Sequence, residues 1–567
     1  MTTHAMDVCR QFTIGVSGEA LAPYANPLFS ALASLFPVEF RPWTQASCNG
    51  FDALIVSGQY PGEIHCAAAT RLPVFAAPTP LSTPAATRST EFQLEQSSSL
   101  HACFRGYRFS EQECIPAAPL PASAGDEVLA SQDGKPIWLQ RHINGAKVTL
   151  VTWPLPYFGP GEHIHENFQS SRFLRLLPLL QFLRNLTRQV DWQSPPTPAC
   201  LLVDDPSLHS LNYGHLDFRR VAAQAREQNF YVSVATVPLD CWGISRQTAE
   251  LLRENAPRLS VVVQGNDHTS EELAHAASDA ENIALLAQAL RRVQHLEEQT
   301  GIEVCRVMEC PHGSLSVTML EPMAKLSYEA VFASTAHLLR CNRGETFPAS
   351  LGAERSLLGR RAAAIIPRIR ARTGWQAEVR LAAFWRQPIV LAAHHWDFAG
   401  QSHLADEFAE IVNSLPDVCW TTPTGVARSC YQYLQVGDIL HIRLGSRLVD
   451  VSIPDSVQSV MIHRPWLEEA EPEVLAVHSG ENELFHAMSS ADVIGPIPLR
   501  GSTALQVSSS VPNKVDCNSV PSPRHRYWPL VRKLMVEVRD RSRLHVHLRG
   551  PGNIEERPQS ATAPPQD

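Results

Sequence analysis

The sequence predicts a multidomain α/β protein: a distorted (β/α)7 barrel, preceded by a doubly wound α/β domain and followed by a small β-sandwich-like domain. Three observations carry that expectation. Seven apolar runs rich in β-branched residues recur between residues 199 and 394, several separated by helical patterns, as in parallel strands joined by crossover helices. Ahead of them, strand and helix patterns alternate and then give way to hairpin signals. Beyond about residue 430 the apolar period falls to two.

The unit 1–190 opens with the strand FTIGVS and continues into PLFSALASLF, where Leu28, Leu32 and Leu35 share a helical face. PVEFRPW, FDALIVSG and LPVFAAP add strands, an alternation that implies a parallel sheet. In EVLASQDGKPIWLQRHINGAKVTLVTWPL, the pairs Asp133-Gly134 and Asn144-Gly145 signal hairpins, because a type I′ turn needs positive φ at both central residues. FLRLLPLLQFLRNL closes the unit as a helix, and the Pro-rich stretch 191–198 reads as a linker.

The barrel spans 199–425, with strands in ACLLV, FYVSVATV, LSVVV, VCRVM, EAVFAS, AAAIIP and PIVLAA. One crossover helix shows an apolar face at Phe218, Val221, Ala222 and Ala225; another at Ile283, Leu286, Leu290 and Val293, with Gly301 as its stop. Barrel chemistry sits at the C-terminal ends of strands, so the residues following each run matter most. Asp204, Asp205 and Pro206 follow CLLV, and Gln264, Asn266, Asp267 and His268 follow SVVV. Pro311, His312 and Gly313 follow CRVME, and His394, His395, Trp396 and Asp397 follow IVLAA. One such junction arises by chance; four in one repeating array point to a shared cavity.

Each junction also has a plainer explanation. Asp205-Pro206 suits an N-cap with proline at the first helical position. Thr269-x-x-Glu272, beside His268, has capping-box spacing. Pro311-x-Gly313 is an ordinary turn. Strand alternation sends one of His394 and His395 into the barrel and the other toward the helices, with Val390, Ala392 and His394 on one face.

Taken together, the junctions resemble the motifs of the polysaccharide deacetylase (NodB-homology) family over residues 197–425. The resemblance implies a hydrolase that removes an acyl group from an N- or O-acylated carbohydrate, using a divalent ion, zinc, to polarise water. It implies Asp204 as general base, Asp205 and the pair Gln264-x-x-x-His268 as metal ligands, and His394 or His395 as general acid. Asn266, Asp267, Pro311, His312, Gly313 and Trp396 would face the substrate. Gln264 stands where the family has a histidine, and an amide oxygen is a poor zinc ligand beside imidazole; His209 and His312 are candidate substitutes. Glu309 stands where the family has an arginine, and Arg306 and Arg368 are candidates to replace that charge. These departures imply an alternative, a non-catalytic carbohydrate-binding or scaffold protein. The order of the N-terminal unit resembles a class I glutamine-amidotransferase-like domain, but VSGQYPG has no cysteine at the turn, which implies a non-catalytic role.

At the C-terminal end, ILHIRLGSRLVDVSIP alternates on both sides of Gly445-Ser446 and reads as a hairpin within a β-rich domain, 430–506. Residues 507–526 read as a linker. Residues 527–548 read as a basic amphipathic helix with Val531, Leu534, Met535 and Val538 on its apolar side, and 527–543 as a candidate peripheral membrane contact. Residues 549–567 read as a disordered tail. Composition narrows the partners. A net charge of −9 gives no basic footprint for nucleic acid. No run of 18 apolar residues suggests a membrane span, and MTTHAMDVCRQFTIGVSGEA lacks the pattern of a secretory leader. Thirteen scattered cysteines without C-x-x-C are expected to be reduced thiols, consistent with a cytoplasmic location.

Overall fold

The computed structural model describes residues 10–17, 26–44, 50–58, 61–78, 90–111, 119–269, 271–275, 277–398, 403–467, 472–499 and 501–523. The expected helix 527–548, apart from Val531 and Met535, and the tail 549–567 lie outside the described residues.

In the N-terminal domain, β1 (Phe12–Val16), β2 (Val38–Pro42), β3 (Ala53–Ser57), β4 (Val74–Ala77), β5 (Thr90–Leu94), β6 (Arg108–Glu111), β7 (Glu127–Gln132), β8 (Lys135–Ile143) and β9 (Ala146–Val151) form one sheet. Its order is β2-β1-β3-β4-β9-β8-β7-β5-β6. The β2-β1-β3-β4-β9 half is parallel and the remainder antiparallel. Both hairpin turns form where the dipeptides place them: φ is 50° at Asp133, 74° at Gly134, 50° at Asn144 and 83° at Gly145. The helix Leu177–Thr187 then leads toward the barrel.

All seven expected strand runs are present in the second sheet. Its strands are β10 (Thr197–Asp204), β13 (Val232–Thr236), β14 (Leu259–Gln264), β15 (Val304–Glu309), β16 (Ala330–Ala333), β17 (Ala364–Pro367), β18 (Ile369–Arg370) and β19 (Ile389–His394). Between β10 and β13 lies a small hairpin, β11 (Asn212–Tyr213) with β12 (Leu216–Asp217). The sheet order is β17-β16-β15-β14-β13-β10-β19-β18, every pair parallel, with β20 (Val418–Trp420) joining the start of β10. β17 and β18 are consecutive pieces of chain with only Arg368 between them, yet they occupy opposite ends of that order. The chain itself therefore closes the ring at Arg368.

Strand alternation sorts the side chains. Cys200, Leu202, Val262, Val307, Phe332, Ile366, Val390 and Ala392 fill the barrel interior. Leu201, Val203, Val261, Val263, Ile365 and Leu391 join the outer core. Continuing each inner series by two residues reaches Asp204, Gln264, Glu309, Arg368 and His394 at the strand ends.

The C-terminal domain is a sandwich of β21 (Tyr431–Val436), β22 (Ile439–Leu444), β23 (Leu448–Ser452), β24 (Ser459–His463), β25 (Glu473–Ser479), β26 (Asn482–Ser489), β27 (Val493–Pro498) and β28 (Ala504–Ser510). Sheets β21-β22-β24-β27 and β23-β28-β25-β26 enclose a core that includes Ile442, Val451, Val460, Leu475 and Val507. Gly445-Ser446 is not the hairpin turn expected, because β22 and β23 belong to different sheets. Ser446 is fully buried and the Gly445 amide donates to the Cys430 carbonyl (2.8 Å), so the chain crosses between layers there. The hairpin partner of β22 is β21. Residues 507–523 of the expected linker 507–526 likewise do not run free. β28 extends to Ser510, the Val515 amide donates to the Lys325 carbonyl (2.8 Å), and buried Cys517 sits by the barrel helix Asp279–Thr300, whose Arg291 donates to the Cys517 and Val520 carbonyls. In the expected linker 191–198, Gln193 exchanges backbone hydrogen bonds with Tyr433 (2.8 Å each) and Thr197 already belongs to β10. Among the described residues, no helix is long and apolar enough to cross a membrane.

Candidate active site

The inner parity of β10 aims Asp204 into the barrel mouth. Arg368, at the ring closure, donates from Nη1 to Asp204 Oδ2 (2.9 Å) and to Glu309 Oε1. Of the two arginines the sequence offered, Arg368 therefore holds the charge beside Asp204; Arg306 pairs with Glu297 (2.6 Å). Gly313 makes room for this guanidinium: at φ 73°, a Cβ would stand 3.0 Å from Arg368 Nη2 and 2.9 Å from Ser334 Cβ. Burial pushes the Asp204 carboxyl above its usual range; Arg368 opposes the shift and Asp205 adds to it. Burial holds the Glu309 carboxyl well above the usual range, since Arg368 offsets only part of the effect and Asp204 and Asp205 reinforce it.

Asp205 has a left-handed backbone (φ 64°) and starts no helix; the next one begins at Phe218 under an Asp217 cap. Its amide donates to Gln264 Oε1 (3.0 Å). Its carboxylate lies between two imidazoles, Oδ1 at 2.9 Å from His268 Nε2 and Oδ2 at 3.6 Å from His394 Nε2. Burial alone would raise its pKa, but His268 and then His394 overcome that and hold it well below the usual carboxylate range.

The loop carrying His268 is shaped by Glu272, whose carboxylate accepts the amides of Asn266 (2.6 Å), Asp267 (3.2 Å) and His268 (3.1 Å). Thr269-x-x-Glu272 is thus no capping box: Glu272 reaches backward to a cluster of loop amides, and the capping box lies at Ser278 and Glu281 ahead of Asp279–Thr300. The same loop turns two expected substrate contacts away from the mouth. Arg292 donates to Asn266 Oδ1 and to Asp267 Oδ1 (2.7 Å each), and buried Asn266 donates to Gln288 (2.8 Å), so both face the helix Asp279–Thr300.

Pro311 and Gly313 are buried beneath the mouth, and the His312 ring stands 5.4 Å from that of His268. Burial, then His268, lowers the pKa of His312. His209 directs Nε2 at the Asp240 carbonyl (3.4 Å), outside this group. His394 ends β19 and His395 begins the turn after it, so the two do not part to opposite faces as alternation predicts; their rings pack 4.2 Å apart. The His394 amide donates to Asp397 Oδ2 (2.7 Å), its ring reaches Asp205, and it lies parallel to the Trp396 ring (6.3 Å, 8°). His395 is fully buried against Tyr213 (5.0 Å) and Gly214, where a Cβ would collide with its Nδ1. Trp396 also meets His215 of the small hairpin edge to face (5.4 Å).

The donor set was expected to hold zinc through Asp205, Gln264 and His268. Each imidazole instead takes its own oxygen of Asp205, and the one metal-competent atom of Gln264 already accepts the Asp205 amide. Among the described residues, no three His, Cys, Asp or Glu side chains are placed to hold one ion. The residues present do not fit the expected three-ligand metal site, and Gln264 serves as a backbone anchor. Glu272 as the loop organiser and the Tyr213–His215 hairpin over His395 were not expected; Arg368 and Glu309 were singled out by the family resemblance, which sets an arginine where Glu309 stands.

No family model matches this chain, and no curated protein matches it. Among solved structures, Agd3, described as a novel carbohydrate deacetylase, aligns at 10% identity and a TM-score of 0.48 over 89% of this chain and 99% of that one. A 4-alpha-glucanotransferase from Thermococcus litoralis aligns at 12% identity and 0.29, over 41% of this chain and 40% of that one. A CE4 family pseudoenzyme from Bacillus anthracis aligns at 11% and 0.21, over 36% and 66%.

Proposed function

We propose that the barrel mouth hydrolyses an acyl group from an acylated carbohydrate, with Asp204 as general base and His394 as general acid. One observation carries the reading: two sets of ion pairs, Arg368 with Asp204 and the imidazoles of His268 and His394 with Asp205, meet at adjacent residues of one strand end. Asp204 takes the proton of the attacking water, and a carboxylate raised above its ordinary range is the stronger base. Arg368 orients that carboxylate and favours its ionised form against the effect of burial. His394, aimed by Asp205 and by the Asp397 contact to its backbone, gives its proton to the departing amine or alkoxide. The Trp396 ring, held between His394 and His215, offers a flat surface beside the proposed acid.

A second reading, carbohydrate binding without turnover, is favoured by the engagement of Gln264 with a backbone amide and by Glu309 sharing Arg368. Acetate release from a panel of N- and O-acetylated oligosaccharides, measured with native protein and Asp204→Asn, separates the two. The hydrolase reading expects release by the native protein and a loss of roughly 100-fold or more in the variant. Binding of a panel member with no acetate released supports the second reading; neither binding nor release contradicts both.

A further inference from the structure

Far from the barrel mouth, a cavity of about 960 Å³ lies where the three domains meet. It adjoins the opposite end of the barrel: Arg386 immediately precedes the approach to β19, and the Asp417 carbonyl accepts the amide of Thr197, the first residue of β10. The eight residues of β10, at roughly 3.3 Å each, put it more than about 20 Å from Asp204.

The wall carries Arg105, Arg184, Arg188, Arg355, Arg386 and Arg443 against three carboxylates, Asp191, Glu354 and Asp417. This excess of positive charge sits in a chain whose net charge is −9. Three carboxylates cancel only part of it. Burial raises Glu354 to about 7, so it is partly protonated at neutrality, and raises Asp191 to about 6, which leaves it mostly ionised. Asp417 is largely exposed and 3.6 Å from Arg386. The guanidiniums feel one another: burial and then Arg386 push Arg184 down to about 10. On the same wall, burial followed by Arg184, Arg386, Arg105 and Arg188 drives His101 to about 3. Like charges gathered in a partly buried space are costly unless a counter-charge joins them.

We infer that this cavity is a second binding site, separate from the barrel mouth, for a small ligand carrying two or more anionic groups. Its volume falls in the range of ligand pockets. The exposed Arg105 and Arg188 draw the anion in, and Arg184 and Arg386 meet it deeper. Trp192 and Trp385 line the same space and offer flat surfaces to the body of the ligand. Phosphate and carboxylate groups share this recognition chemistry.

Calorimetric titration of the full chain at low salt, with tripolyphosphate in one arm and trigalacturonate in the other, tests the site. The variant is Arg105→Glu/Arg188→Glu; both side chains are exposed, and thermal unfolding checks that the fold is kept. If the double reversal lowers the melting temperature, Arg188→Gln takes its place. Saturable binding of at least one probe, weakened tenfold or more in the double variant and more than twofold in Arg188→Gln, supports the site, and the arm that binds identifies the anion class. No saturable binding of either probe, or an affinity the variants leave unchanged, overturns it.

Discussion

Arg368 is shared by two carboxylates, and its behaviour under substitution follows from that. In Glu309→Gln the guanidinium serves Asp204 alone, so the Asp204 pKa falls. A base must be deprotonated to act, so the acid limb of the pH–rate profile is expected to move to lower pH. Arg368→Gln removes the group that lowers the Asp204 pKa, so the limb moves to higher pH. That variant also strands two buried carboxylates, at a cost of roughly 3–5 kcal/mol in a urea denaturation experiment. Profiles that do not move, or that move the other way, contradict the assignment of Asp204 as base. Gln264→His replaces an amide with an imidazole. Equilibrium dialysis is expected to show zinc affinity at least tenfold above native, and equal affinity contradicts the role given to Gln264. Asp204, Asp205, His268 and His394 were legible in the sequence as candidates because each closely follows an apolar run. Gln264 was misjudged because spacing does not reveal which group an amide oxygen will meet. Asn266 and Asp267 were misjudged because the Glu272 contact, invisible in one dimension, turns their side chains outward.

In the loop from Gln264 to His268 one carboxylate, Glu272, gathers three backbone amides, and Gly265 lets it pass. At φ 54°, a Cβ on residue 265 would collide with Glu272 Oε1 and stand 2.8 Å from Pro311 Cγ. Gly265→Ala is therefore expected to destabilise the protein by about 1–3 kcal/mol in chemical denaturation. A change below about 0.5 kcal/mol, typical of an ordinary surface site, contradicts the loop geometry. The element also shows where sequence reasoning meets its limit. Thr269-x-x-Glu272 has the spacing of a capping box whether glutamate caps a helix or gathers loop amides. The same ambiguity explains Gly445-Ser446: alternation on both sides of a turn is identical for a hairpin and for a crossing between sheets. Asn144-Gly145 was unambiguous because a tight hairpin demands two residues with positive φ and the sequence supplies them.

Across the whole molecule, the barrel was legible as seven strand runs, but its closure was not. One stretch, 364–370, serves both edges of the sheet, and only the three-dimensional path places Arg368 at the seam. The packing of the C-terminal sandwich on the barrel was hidden as well, since a Ser/Pro/Asn-rich segment reads as a linker whether free or docked. Gln193–Tyr433, the Arg447 donation to the Ala362 carbonyl (2.6 Å) and the Cys517 segment all join the sandwich side to the barrel side. A chain ending at residue 429 is expected to melt about 5 °C or more below the full chain, by calorimetry; an unchanged midpoint shows that the contacts contribute nothing.

Strand ends far apart in sequence form a single unit at the barrel mouth. A double-mutant cycle on Asp205→Asn and His268→Ala, read by urea denaturation, measures that directly. Residues in contact should give a coupling of about 1 kcal/mol. Effects that add to within about 0.3 kcal/mol place the two side chains apart and contradict the site.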